Sequence, residues 1–474
     1  MHARFTSAIV LAVAISGVGG CSGPVPSAPS TGLGAQAGNG VRHQTSPISH
    51  IVIMVQENRS FDNLFATFPG ADGATSGYYL KKVNGKYVRT YIALKESPLP
   101  TLDFNHSWKN YIGDYDNGGM DGFNLAGYDG NNNAGTLPYQ YVNPSQIQEY
   151  WTLAQQYGLA DEMFQTQGSG SFTAHQDLIA GGTHYTYNNH IGSIIDYPNE
   201  NLNWTCGAQS GTVTSMLTKN GEYLAGGGPF PCFTYATGTL RDVLDAKGLT
   251  WKYYTPAYVN DTVGALWNAY GAIQAVYKSA EWPPTSKPWD CGNGSCVTWP
   301  ETNVLTDISN GQLPAVSWVI PDQVDSDHPH SPKSQDNGPS WVASVVNAIG
   351  TSSYWNSTAI VIVWDDWGGF YDHRVPAFFD SAGGLGFRVP MIVVSPYVPA
   401  NEISNTQYEF GSILKFVEQT FSLRSLGTTD IRATSIGNMF NFQQKARAFH
   451  VIPSAHSRAY FLQRPPSNQP VDTE

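Results

Sequence analysis

The chain of 474 residues predicts an α/β fold with a central, mostly parallel sheet flanked by helices. Two observations carry this expectation. The runs Ile51-Val52-Ile53-Met54-Val55 and Ala359-Ile360-Val361-Ile362-Val363 are continuous rather than alternating, which is the pattern of strands covered on both faces. Between such runs, apolar residues recur at helical spacing, and strands alternating with helices build parallel sheets.

Taken in chain order, the amino terminus has an export signal: His2 and Arg4, the apolar stretch from Ala8 to Ile15, then small residues ahead of Cys21. Val18-Gly19-Gly20-Cys21 resembles a bacterial lipobox. Cys21 would then be the acylated first residue of a cell-envelope lipoprotein, with cleavage nearby and free secretion or periplasmic residence as the alternative. Residues 22–46 are Ser-, Pro- and Gly-rich without periodicity and read as a flexible tether. Residues 47–474 read as one folded domain. No other stretch approaches the ~18 apolar residues of a membrane span.

Within that domain, Leu249 to Tyr254, Ala315 to Ile320 and Val389 to Val394 read as further strands. Val342, Val345, Val346 and Ile349 share one helical face, as do Phe410, Ile413, Leu414, Val417 and Phe421. Residues of about 73–150 and 184–310 are Gly-, Asn- and Tyr-rich with weak periodicity. They read as long insertions that wall a site. Hydrophobic residues make up 41% of the chain, aromatic residues 13% and charged residues only 13%, against ~25% in ordinary soluble domains. The net charge is −12 with no contiguous Lys/Arg block, which argues against a nucleic-acid groove or a polybasic membrane patch.

Apart from Cys21 there are four cysteines, an even number suited to disulfides in an oxidising compartment. Cys291 and Cys296 enclose a Gly-rich turn that can close locally, leaving Cys206 for Cys232. The other pairings stay open. A zinc site is disfavoured because no CxxC pair is present.

The two apolar runs end in Glu57-Asn58 and Asp365-Asp366. In open α/β sheets ligands gather beyond the carboxyl ends of strands, so these four side chains form an oxygen-rich cup for one divalent cation, of a kind the donor set alone does not select. The plainer alternatives are that Glu57 caps a helix starting near Ser60 and that Asp365-Asp366 opens a turn before Gly368-Gly369.

Five blocks then carry a resemblance. They are His50 to Asp62, Gly170 to Gln176, Phe230-Pro231-Cys232-Phe233 with Thr239-Leu240, Ser326-Asp327-His328-Pro329, and Trp364 to His373. In this order they resemble the bacterial phosphoesterase family that contains acid phosphatases and nonhaemolytic-type phospholipases C, within the alkaline phosphatase superfamily. The resemblance covers about residues 48–425. It implies an alkaline-phosphatase-like fold and one metal held by Glu57, Asn58, Asp365 and Asp366, although two-zinc relatives exist in the wider superfamily. It also implies a nucleophile at Ser171. The Gly168-Ser169-Gly170 approach to a helix from Ala174 to Ala180 would put that hydroxyl near the positive end of a helix dipole, with a bare N-cap as the alternative role. Ser169 and Thr173 rank below it. Many relatives have Pro where this chain has Thr173, and sulfatase chemistry is disfavoured because Ser171 is followed by neither the Pro nor the Arg of a sulfatase.

By the same resemblance, His106 and His328 contact the phosphoryl group and protonate the leaving oxygen, chemistry suited to an imidazole. Asn58 and His175 are read as substrate contacts. His175 lies four residues past Ser171 on one helical face, His373 follows the aspartates, and His330 is read as facing solvent. The expected reaction is hydrolysis through a phosphoserine, fastest below neutral pH. The chain ends soon after the last block, without the carboxy-terminal β modules of larger phospholipases C, and this favours a broad-range phosphatase. Phospholipase C comes second, and a non-catalytic glycan-binding or adhesive lipoprotein is the reading from another class.

Overall fold

The two acid-terminated runs lie side by side. The structure, a computed structural model, describes residues 46–99, 102–128, 133–198, 204–256, 266–284, 288–329, 337–377 and 384–465. Cys21 and His330 therefore lie outside the described residues. Eight strands form the central sheet: β1 (His50–Gln56), β2 (Gly158–Ala160), β3 (Trp251–Tyr254), β4 (Cys296–Thr298), β5 (Val316–Val319), β6 (Thr358–Trp364), β7 (Met391–Val394) and β8 (Glu402–Ser404). Their order is β4-β3-β5-β1-β6-β7-β2-β8.

Every pairing is parallel except those of β7, which runs antiparallel to both β6 and β2. This is the mixed α/β, mostly parallel sheet expected from the continuous runs. All seven residues of β6 are buried, as are all but His50 in β1. Full burial of one such aliphatic side chain contributes about 1.5–3 kcal/mol, so the centre of the sheet is also the centre of the hydrophobic core.

The helices Ser171–Ala180, Gly338–Gly350 and Phe410–Phe421 contribute to that core. The predicted stripes Val342, Val345, Val346, Ile349 and Phe410, Ile413, Leu414, Val417 are buried in it. Part of the stretch read as wall belongs to the sheet, since β3 and β4 fall within 184–310. β3 lies within the run Leu249 to Tyr254 already read as a strand, whereas the three residues of β4 are too short to leave a clear run in a Gly-rich background. The same stretch also supplies a separate four-stranded antiparallel sheet over His184–Tyr187, His190–Ile195, Ser215–Thr218 and Tyr223–Leu224. Cys206 is joined to Cys232, and Cys291 to Cys296. No helix among the described residues is long and apolar enough to cross a membrane.

Candidate active site

Register brings the acids together. Gln56 pairs with Trp364 at the carboxyl ends of β1 and β6, so Glu57-Asn58 and Asp365-Asp366 leave the sheet as neighbours. The Asp365 N–H donates to Gln56 O at 3.0 Å, and the Asn58 N–H donates to Asp365 Oδ1 at 2.9 Å. On the other side of β1, the loop after β5 returns through Ser326, whose carbonyl accepts from Glu57 N at 2.7 Å. That loop brings His328 to the same strand ends.

Backbone conformation aims these groups. Asn58 adopts φ +60°, a left-handed conformation that Asn tolerates better than most residues. Gly368, at φ +58°, passes so close that a Cβ there would lie 2.2 Å from Asn58 O. Only glycine fits that crossing.

Ser171 is the first residue of its helix and Gly170 is the cap, so its hydroxyl is not used up in capping. Ser60, not Glu57, caps the helix Phe61–Phe65 by accepting from Asn63 N. Ser171 Oγ lies 3.1 Å from Asp366 Oδ2 and 3.3 Å from Asn58 Oδ1. The Asn58 amide nitrogen reaches His106 Nε2 at 3.0 Å and His328 Nε2 at 3.1 Å. One NH2 group thus donates to two imidazoles, and His106 in turn directs Nδ1 at Phe104 O, 2.6 Å away. Both rings then hold their proton on Nδ1 and offer a lone pair at Nε2. Ser171, Asp366, Asn58, His106 and His328 are all essentially fully buried.

Ser169 and Thr173 face elsewhere. Ser169 Oγ lies 3.1 Å from both Thr173 Oγ1 and Asp196 Oδ1. His373 is also apart from the serine, with Nδ1 2.8 Å from Asp62 Oδ2. It belongs to a buried brace centred on Arg388, which pairs with Asp62 at 3.1 Å and Asp372 at 3.2 Å. Because Asp62 follows β1 and Asp372 follows β6, the brace ties the two acid-bearing loops together.

His175 is placed where its sequence position gave little indication. Its Nε2 is 3.0 Å from Glu57 Oε1 and 3.9 Å from Asp365 Oδ2, and ligand atoms of these three residues lie within 4.8 Å of one another. Its Nδ1 faces Tyr253 Oη at 3.4 Å. The Tyr253 hydroxyl proton is committed to Trp267 O at 2.6 Å, so Nδ1 can serve Tyr253 only as a donor, whereas in the other tautomer Nε2–H donates to Glu57 Oε1 at 3.0 Å. Burial pushes the His175 pKa down to about 4, so the ring is neutral near pH 7: with its one proton on Nε2 it donates to Glu57, and with that proton on Nδ1 the Nε2 lone pair can join the two carboxylates around a cation. Asp365 Oδ2 is buried without a hydrogen-bond partner. Carboxylate oxygens gathered in this way repel unless a cation or a shared proton lies among them. The donor set of one imidazole and two carboxylates therefore fits a divalent metal. Burial and the adjacent Asp365 charge likewise hold the Asp366 carboxyl well above the usual carboxylate range.

Sheet and site together define an α/β protein whose buried serine, paired imidazoles and acidic group sit beyond the carboxyl ends of adjacent parallel strands. The chain belongs to the phosphoesterase family, whose model matches residues 48–424. It is 28% identical to a non-hemolytic phospholipase C of Burkholderia pseudomallei over 87% of this chain and 61% of that protein. It is 25% identical to phospholipase C B of Mycobacterium tuberculosis over 83% of this chain and 78% of the relative. The chain thus spans from under two thirds to about three quarters of these relatives' lengths. Among solved structures, a protein in the alkaline phosphatase superfamily from Vibrio parahaemolyticus aligns over 83% of this chain and 73% of its own, with TM-score 0.34 and 11% identity.

Proposed function

We propose that the chain is a metal-dependent phosphoric ester hydrolase that works through a phosphoserine at Ser171. The observation that carries this reading is the Ser171 hydroxyl, held 3.1 Å from a buried carboxylate at a helix amino terminus, with two imidazoles one amide away. Glu57, Asp365 and His175 would hold the cation, with Asp366 and Asn58 Oδ1 on its serine side. When bound, it would supply positive charge to the serine oxygen and to the phosphoryl group.

The protein's own groups do the rest. The first turn of the Ser171 helix offers backbone N–H groups to a phosphoryl oxygen. Asp366, which would be ionised once a bound cation offset the neighbouring charge, takes the hydroxyl proton as Ser171 Oγ bonds to phosphorus and the ester P–O bond breaks. The departing oxygen needs a proton from His106 or His328. Either ring must first gain one at Nε2 and give up its bond from Asn58. Water attacks the phosphoserine in the second half-reaction, releasing phosphate or a phosphate monoester and restoring Ser171.

For the ester itself, one reading is a broad range of phosphomonoesters, as for the acid phosphatases of the family that the five sequence blocks resemble. The names of the relatives, aligned over more than four fifths of this chain, support a phospholipid headgroup as the alternative. A purely adhesive role has less support, because it needs none of the groups gathered at Ser171. Hydrolysis of a chromogenic phosphomonoester and of a phosphocholine ester, each with and without chelator, separates these readings. Wild type should cleave at least one ester with metal, and Ser171→Ala should lose ~10⁴-fold or more in kcat while melting normally. If neither ester is cleaved with any divalent metal, the hydrolase reading fails.

A further inference from the structure

Ser76–Val83 and Lys86–Ala93 form a two-stranded antiparallel hairpin apart from the main sheet. Its turn is Asn84-Gly85, both at positive φ, the preferred pair for a two-residue hairpin loop. An isolated hairpin is marginal in water, and this one is fastened at its base. Leu80 N–H donates to Asp121 O, and the Asn124 side chain bridges Leu80 N and O at 3.0 Å each. Gly77 lies under the Tyr371 ring, and Tyr371 follows Asp365-Asp366 in the loop after β6.

The far end does the opposite of packing. Residues 81–89 are all exposed. Five of the twelve large hydrophobic side chains exposed among the described residues fall between positions 78 and 91: Tyr78, Val83, Tyr87, Val88 and Tyr91, the last at 63%. Register puts Tyr78 opposite Tyr91, Leu80 opposite Arg89 and Lys82 opposite Tyr87 on one outward face. Tyr79 and Ile92, on the other face, pack inward.

Charge identifies the partner. Lys81, Lys82, Lys86 and Arg89 fall within nine residues, and no acid occurs from Ser76 to Lys95, in a chain of net charge −12. Arg89 is matched by Asp121 at 2.9 Å. The three lysines at the tip have no such match in the hairpin itself. Tyrosines with a polar tip, short aliphatics and lysines with long apolar stems suit the boundary between water and lipid, and lysines are drawn to anionic headgroups.

We propose that the outward face and tip of this hairpin dock the protein on an anionic phospholipid bilayer. This membrane contact is separate from any acyl anchor at Cys21 and does not depend on turnover. The test uses the full chain carrying Cys21→Ser and Ser171→Ala, so that neither acylation nor hydrolysis contributes. It is co-sedimented with vesicles of phosphatidylcholine alone, or of phosphatidylcholine with about one third phosphatidylglycerol.

The anionic vesicles should bind the protein, and salt of about 0.5 M should release most of it. Adding Lys82→Glu and Lys86→Glu should weaken partitioning about tenfold or more, and Tyr87→Ser with Tyr91→Ser should weaken it further. The same hairpin changes in a chain with Ser171 restored should leave melting and cleavage of a soluble ester as they were. Equal binding by the hairpin variants, equal binding to both vesicle types, or hairpin-dependent capture by a soluble polyanion without vesicle binding would each overturn the proposal.

Discussion

At the scale of single residues, His175 is the group whose role the geometry changes most. Its Nε2 faces Glu57 and Asp365, so removing the ring takes one donor from the candidate metal group. His175→Ala should lower divalent-cation affinity about 10- to 100-fold or more. Calorimetric titration of the metal, or the absorption of bound cobalt, reads this without any assay of turnover. Unchanged affinity would reduce His175 to a hydrogen-bond partner of Glu57. In the sequence, the four-residue spacing from Ser171 shows only that the two share a helical face. It cannot show that the face meets β1, nor that Tyr253, from β3, lies against the ring's other nitrogen. The strand-end acids were legible because a run of β-branched residues ending in a carboxylate is a local pattern. The Arg388 brace was not, because its partner Asp62 lies 326 positions away in the chain.

Among the elements, β1, β3, β5, β6 and β7 were legible as apolar runs and two amphipathic helices from their spacing, whereas the three-residue strands β2, β4 and β8 were too short to show. The reversed direction of β7 was not, since side-chain pattern does not encode strand polarity. The Asn84-Gly85 turn stood in plain sequence, yet the surrounding Gly- and Tyr-rich composition hid the hairpin, and its lysines are interrupted by Val83, Asn84 and Gly85 rather than forming one block. The helix Phe410–Phe421 offers a pH test. Glu418, near its carboxyl end, accepts from Leu426 N at 2.9 Å, and burial with the nearby Asp430 charge raises its pKa to about 7. The fold therefore prefers Glu418 protonated. Its contribution is fully present below the unfolded value near 4.5 and is lost as pH rises through about 7. Glu418→Gln, which mimics the protonated acid, should stabilise the protein by on the order of 1 kcal/mol at pH 8 and by almost nothing at pH 4.5. Melting curves at the two pH values check this, and an equal shift at both would refute it.

At the scale of the whole molecule, the sheet concentrates unfavourable charge at its own centre. Glu57, Asp365 and Asp366 are fully buried at the ends of the two most central strands, where like charges in a poor solvent oppose folding. A cation bound there would act on the entire fold, because β1 and β6 unfold only with the core. Saturation at about 100 times Kd stabilises by about 2.7 kcal/mol, so chelation should lower the melting temperature by several degrees. The pH dependence has a definite sign. Protons compete with the metal for the carboxylates, and Asp366 is already displaced toward its protonated form. The loss on chelation should therefore be large near pH 8 and shrink toward pH 5. Scanning calorimetry with and without chelator at those two values measures it directly. A melting temperature indifferent to chelator and to added divalent cation at pH 8 would mean that protons alone balance the buried acids, and the metal reading would go with it.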